Sequence, residues 1–435
     1  MNWHHLKTQI AATLLLLSAA VGASAQTTAC APTASVNLPV VNTGLPVVQI
    51  WTTNAAPVVD KDNYLTACLR IRDGSVLRYG QGLYHGTIKI KGRGNTTWNM
   101  PKKSYRLKLD AASPVLDMPA HKDWVLLANY ADKSLMRTAL AMEFSRRLGF
   151  PWTPRLRFAE VYLNDEFLGN YQLGEKIEVA PSRVAVTAMS STDNAAPAVT
   201  GGYLLEVDYL DRLTPDDRWF TTTAGLSYAL QSPAADKVTT EQMGYVSQYV
   251  QQMESAILAA DGNATTGYPA YIERTSLVRY YILQELLKNK DAAMGSSVFL
   301  HKQRGGKFVM GPPWDFDISA GNIDFYPDAM GPTGWYLMNN AAWFDALMRR
   351  DPTFKAAVVT RWRSFRWQLW DLNLLVESYA LALNASQKAN FQRWPILGSY
   401  VWPNQYVGAT YRDEVNWLKN WLNTRVAWID ANVAR

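Results

Sequence analysis

Three aspartates between Leu286 and Asn322 have the residue type and the order that phosphoryl transfer uses. Asp291 sits in Asn289-Lys290-Asp291 and is followed by Ser296-Ser297. A β-hairpin pattern comes next, Val298 to Lys302 and Lys307 to Met310 around Gly305-Gly306. Then comes Pro312-Pro313-Trp314-Asp315-Phe316-Asp317, with Gly321-Asn322 closing the run. An acid that orients an acceptor hydroxyl, a hairpin, and a loop carboxylate that holds a metal ion across the phosphates is the arrangement such chemistry requires. A hard cation such as Mg²⁺ or Mn²⁺ seeks oxygen ligands, hence the carboxylates. On a strand, the two side chains of a D-x-D pair share one face, so the pair is expected to approach one metal cluster. Alone, D-x-D is commonly a solvated turn. Asp291 and the intervening hairpin make it informative here.

A second segment, Ile88 to Leu109, pairs two period-two strands across Gly92-Arg93-Gly94-Asn95-Thr96-Thr97 and Pro101-Lys102-Lys103. Glycines permit close backbone approach to a phosphate, and a lysine supplies charge. Thr97 stands where a G-x-G-x-x-G pattern has its third glycine, and by composition alone the segment reads as an ordinary turn.

Three stretches together resemble the CotH kinase family, secreted or spore-coat proteins with an atypical protein-kinase fold. The first is Arg93-Gly94-Asn95-Thr96-Thr97-Trp98 with Pro101-Lys102-Lys103-Ser104-Tyr105-Arg106-Leu107-Lys108-Leu109. The second runs from Asp132-Lys133-Ser134-Leu135-Met136-Arg137 through Glu160-Val161-Tyr162-Leu163-Asn164 to Glu175-Lys176-Ile177. The third is Asn289-x-Asp291 with Trp314-Asp315-Phe316-Asp317 and Gly321-Asn322. The resemblance implies ATP- and Mg²⁺- or Mn²⁺-dependent transfer of phosphate to Ser or Thr hydroxyls. It makes Asp291 the catalytic-loop acid and Asp315 and Asp317 the metal-binding pair. Lys103 becomes the phosphate-contacting lysine, with Lys108 its competitor on the same strand. Arg93, Gly94 and Asn95 form the loop over the phosphates. Glu175 lies near the adenine as a hinge residue, or pairs with the lysine. Arg137 reads better as a salt-bridging helix residue than as a phosphate ligand. Ser296 occupies the place of a conventional metal-binding Asn, which puts one metal position in doubt.

These residues need a scaffold, and 435 residues that are 48% hydrophobic can bury a large core. The expected class is α+β, a bilobal protein-kinase-like fold with a β-rich N-lobe over residues 47–185 and a mainly helical C-lobe over 186–435. A helix is expected from Lys133 to Leu148, a hairpin from Phe158 to Leu173, a strand at Tyr203 to Val207, and helices from about Thr239 onward. Trp367, Trp370 and Trp362 fall on helical faces with Trp417, Trp421 and Trp428. They could form a carbohydrate-stacking platform, but helix packing is the expectation.

Residues 1–25 read as a secretory signal peptide, with Lys7, an apolar run from Ile10 to Val21, and Ala23-Ser24-Ala25 as the cleavage site. Residues 26–46 read as an extended arm or linker. The expected location is therefore secreted, with no stable membrane span once the leader is removed. The two cysteines, Cys30 and Cys68, suit one disulfide in an oxidising compartment. A net charge of +6 without a Lys/Arg stripe is no nucleic-acid footprint. No H-E-x-x-H and no nucleophile elbow occur, so hydrolases of those types are unsupported. Three functions remain. One is a secreted kinase acting on an exported or surface protein. The second is a pseudokinase acting as a surface-binding or coat-assembly protein. The third is a transferase using sugar nucleotides.

Overall fold

The computed structural model describes residues 43–72 and 83–435. The leader, most of the arm and Cys30 lie outside the described residues. Cys68 is disulfide-bonded.

The first half of the chain alternates in burial, and that alternation closes a barrel. The strands are β1 (Val47–Thr52), β2 (Leu65–Arg72), β3 (His85–Arg93), β4 (Ser104–Val115), β5 (Met118–Leu127), β6 (Leu156–Leu163) and β7 (Glu166–Glu175). Their order is β1-β2-β3-β4-β5-β7-β6, closed by parallel pairing of β1 with β6. Ile88, Ile90, Tyr105, Leu107 and Leu109 point inward and fill the barrel with Trp124, Leu126 and Tyr171. The residues between them, including Lys91, Arg106 and Lys108, must then point outward. Helix α1 (Arg137–Arg147) connects β5 to β6 and lies within the expected helix.

A second sheet follows, made of β8 (Tyr203–Val207), β9 (Trp219–Thr221), β10 (Ser227–Ser232), β11 (Val298–Lys302) and β12 (Phe308–Met310). It is antiparallel throughout, in the order β12-β11-β8-β10-β9. The region read as mainly helical thus carries a five-stranded sheet. One face, with Tyr203, Leu205, Val207, Val298 and Leu300, packs on the helices α2 (Thr240–Ala259) and α3 (Arg274–Leu287). The other face meets the outside of the barrel, where Val125, Ile177, Leu204, Phe299 and Trp314 form a small apolar cluster.

Helix α3 is buried on all sides from Tyr280 to Leu287, while Thr275 near its start is exposed and Arg274 and Arg279 are half-buried. After it come α4 (Pro327–Met330), α5 (Leu337–Asn340), α6 (Ala342–Arg350), α7 (Pro352–Trp367), α8 (Leu372–Ala382), α9 (Asn384–Arg393) and α10 (Tyr411–Asn432). Arg425 of α10 pairs with Glu285 of α3 at 2.9 Å, both buried, and also bonds the Gly334 carbonyl at 2.6 Å. No helix among the described residues is long and apolar enough to cross a membrane.

The barrel is tied to the helices through α9 and β7. The buried Lys102 ammonium donates to the Asn170 carbonyl and, at 2.9 Å, to Asn390 Oδ1, which also accepts from the Asn170 N–H at 3.1 Å. Gly169, at φ +100°, leaves the space that Asn390 enters: a Cβ there would lie 2.5 Å from Asn390 Oδ1. Replacing Gly169 with Ala therefore combines strain with a clash. A loss of about 2–4 kcal/mol in urea unfolding is expected. A loss below about 0.5 kcal/mol, the range of an indifferent surface change, would show that this junction yields freely.

Candidate functional site

The barrel's outer face and the second sheet enclose a cavity of about 460 Å³. The β3–β4 connection forms one rim, with Arg93, Gly94, Asn95, Thr96 and Thr97 all lining the space. Gly94 adopts φ +93°, and a Cβ there would sit 2.1 Å from Thr97 Oγ1, so this tight turn requires glycine. Facing the turn are Asp291, Asp315 and Asp317. Val125, Ile177, Phe299 and Trp314 give the cavity an apolar floor.

Of the residues singled out in the sequence, Arg93, Gly94, Asn95, Asp291, Asp315 and Asp317 thus line one space. Lys103, Lys108 and Glu175 do not line it. Lys103 precedes β4 in the register of the inward-facing Tyr105 and Leu107. Its ammonium donates to the Trp98 carbonyl at 2.5 Å and lies 5.2 Å from the Trp98 ring centre. Lys108 is on the outer face but is exposed to solvent farther along the strand. Glu175 is fully buried and accepts from Arg155 Nε and from the Arg155 N–H, each at 2.9 Å, so it pairs with neither lysine. The cations that do line the cavity are Arg93, Lys91, Arg106, Lys176, Arg212 and Lys61. Arg106 was visible in the sequence only as a neighbour of Lys108; closure of the barrel is what aims it at the cleft.

Asp315 and Asp317 lie in a loop after the hairpin, as the order of parts implied, so strand geometry is not what brings their side chains together. Pro312 and Pro313 lack the N–H groups a ladder needs, and Asp315 turns left-handed at φ +61°. Side chains from elsewhere hold the loop. Asn289 Nδ2 donates to the Asp315 carbonyl at 2.9 Å, and Asn322 Nδ2 to the Asp317 carbonyl at 2.7 Å. Arg137 bonds the Ser319 carbonyl at 3.1 Å while paired with buried Asp132 at 2.5 Å. Arg137 is therefore a buried ion-pair residue, as favoured from the sequence. Ser297 Oγ donates to Asp315 Oδ2 at 3.4 Å, whereas Ser296 Oγ accepts from Arg212 at 2.6 Å.

Like charges crowd this space. Burial, then Asp315, Asp291 and Asp132, hold Asp317 well above the usual carboxylate range. Desolvation in the cleft and Asp291 raise Asp315, although its side chain stays open to solvent, and Arg93 opposes them. Glu206, which also lines the cavity, is pushed up to about 8 by burial, Asp208 and Asp315. The sequence marked Glu206 only as one charged residue in the apolar run Tyr203 to Val207. An all-oxygen donor set under such repulsion suits a hard divalent cation. Among the described residues, the one group of three ligand-type side chains mutually within 4.8 Å lies elsewhere, at His121, Asp123 and Glu178. Its carboxylates already pair with Arg106 at 2.8 Å, Arg183 at 3.0 Å and Lys176 at 2.9 Å, which leaves little charge for an ion.

The family model described as CotH kinase protein matches residues 90–429, a span that includes every cavity-lining residue named above except Lys61. The chain belongs to the CotH kinase family. Its membership brings the description of a kinase-like or spore-coat-related protein to this α+β fold. No curated protein gives a significant match to the sequence. Within the CotH kinase match, the Asp132-to-Arg137 stretch acquires a physical role as the buried support of the Asp317 loop.

Glu206 supplies a pH test of the crowding. Its native pKa of about 8 exceeds the ordinary 4.5, so the folded state holds the extra proton between those values. Stability is full below about 4.5 and is lost as pH rises toward 8. Glu206→Gln should therefore gain on the wild type as pH rises from 5 to 8, by on the order of 2–4 kcal/mol, then level off. A difference in melting midpoint that stays flat across this range would contradict the crowding.

Proposed function

We propose that the protein transfers the γ-phosphate of ATP to Ser or Thr hydroxyls of an exported or surface protein, with Mg²⁺ or Mn²⁺. In this reading the barrel serves as the N-lobe and the helical half as the C-lobe of a bilobal kinase-like fold. The observation that carries it is that Asp291, Asp315 and Asp317 face the Arg93–Thr97 turn across one cavity with an apolar floor. Val125, Ile177 and Phe299 suit the flat face of adenine. Arg93, Arg212 and Lys176 are placed to draw the phosphates, and the turn's glycine allows the backbone to approach them. Asp315 and Asp317 would hold the metal ion, whose charge would offset that of the phosphates. Asp291 would orient the acceptor hydroxyl and accept its proton; Lys290 pairs with it at 3.1 Å. The expected leader at 1–25 supports an exported acceptor rather than a cytosolic one.

A second reading, a pseudokinase used for surface binding or coat assembly, draws on Ser296. Its hydroxyl accepts from Arg212, so the side chain at one conventional metal position already faces a cation. Calorimetric titration of ATP with Mg²⁺, with Mn²⁺ and with chelator separates the two. Metal-dependent binding is expected, weakened about tenfold or more (~1.4 kcal/mol) in Asp317→Asn and Arg93→Met. Lys103→Met should bind nearly as the wild type does, because Lys103 is spent on Trp98. Folded protein that binds no ATP with either metal would leave the pseudokinase. Binding of sugar nucleotides in preference to ATP would favour the glycosyl-transferring alternative.

A further inference from the structure

The tryptophans expected to pack between helices divide into two groups. Trp362 and Trp421 are buried at 2% and 5% exposure, as expected, but Trp367 and Trp370 are 81% and 76% exposed. Both stand at the corner where α7 turns into α8, beside a groove of about 700 Å³ whose other wall is α10. The groove shares no lining residue with the cleft.

Its floor is built and polar. Asp430 accepts from Trp362 Nε1 at 2.8 Å and from Arg366 Nε at 2.7 Å, which fixes the back of the groove. Asn423 Nδ2 donates to Asn373 Oδ1 at 2.7 Å, leaving the Asn373 amide N–H groups and the Asn423 carbonyl oxygen for a ligand. Arg363, exposed at the rim, has no ion-pair partner among the described residues. Two bare indoles, a pair of amides with spare hydrogen-bonding capacity and one uncompensated cation are complementary to one chemistry. The flat C–H face of a pyranose stacks on an indole, its hydroxyls bond amides, and a carboxylate substituent pairs with a guanidinium. A lipid surface fits less well. The groove is concave, and its back wall is an aspartate with amides beside it rather than an unbroken apolar face.

We propose that this groove binds a β-linked, carboxylate-bearing glycan chain, with Trp367 and Trp370 as stacking platforms and Arg363 as the carboxylate partner. β-Linked equatorial rings keep the chain flat enough to meet both indoles. The site would hold the protein against an acidic polysaccharide, independently of the chemistry in the cleft.

The test is calorimetric titration of the purified protein with a β-1,4-glucuronan hexasaccharide and with cellohexaose. They share a backbone and differ in the carboxylates. The glucuronan is expected to bind more tightly than cellohexaose. Trp367→Ala with Trp370→Ala should weaken both by about tenfold or more. Arg363→Gln should abolish the difference between them. Both indoles are exposed, so the double variant should keep the wild-type melting midpoint, and its metal-dependent nucleotide binding should be unchanged. No binding of either oligosaccharide, or equal binding by wild type and the double tryptophan variant, overturns the proposal. So does tryptophan-dependent binding to phosphatidylglycerol vesicles without binding to either glycan.

Discussion

Three aspartates that repel one another are held in one cleft by a buried polar lattice, and the rest of the candidate site depends on it. The loop carrying Asp315 and Asp317 has no ladder or helix to fix it. It is pinned instead by Asn289, Asn322 and Arg137, each bonded to a different loop carbonyl. Arg137 is itself held by Asp132, which also accepts from Ser134 Oγ at 2.6 Å. Asn404 closes the lattice from the chain before α10, donating to the Ala131 carbonyl at 2.7 Å and to Asn322 Oδ1 at 2.9 Å. A buried pair such as Asp132–Arg137 contributes little net stability against an apolar substitute, whereas losing one partner is costly. Its use here is therefore positional: it converts the repulsion among the aspartates into a fixed geometry.

The two sheets divide the work by strand parity. In β4, Tyr105, Leu107 and Leu109 fill the barrel, so Arg106 faces out into the cleft. In β8, Leu205 and Val207 face the helices, so Leu204 and Glu206 face the barrel. The cleft is the space between these two second faces. A one-residue slip in either strand would exchange core for cleft, so burying both cores also fixes which charges enter the site.

That same parity decides what could be seen in the sequence. Asp291, Asp315, Asp317 and the Arg93–Asn95 turn were legible because type and order suffice for residues on loops. The Tyr203–Val207 strand and the hairpin around Gly305 were legible from period and turn residues. The basic partners were not. Choosing Arg106 over Lys103 requires knowing which face of β4 is inside, and choosing it over Lys108, on the same face, requires knowing where along β4 the second sheet packs; neither is set by local sequence, and the barrel is closed by β1 and β6, more than 100 positions apart in the chain. Strands β9 and β10 were missed for a related reason. Trp219–Thr221 is three residues long and gains its structure from pairing with β10, not from any pattern of its own. Glu206 was hidden because a lone acid in an apolar strand reads as an edge residue until its neighbours are known.

The charge balance of the cleft argues for what it would take. Carboxylates and cations both line the cleft, and Arg93 lies near Asp315, Glu206 and Asp317 and 5.5 Å from the Trp314 ring. An anion alone would gain from Arg93, Arg212 and Lys176 but would face Asp315 and Asp317. A cation alone would relieve those aspartates but would face Arg93. Under the proposed function, a metal–polyphosphate pair would satisfy both kinds of charge at once. The apolar floor beside them then has room for a flat, weakly hydrated group attached to the phosphates. A nucleotide with its metal would then answer the charges and the apolar floor together, as one ligand of the proposed function.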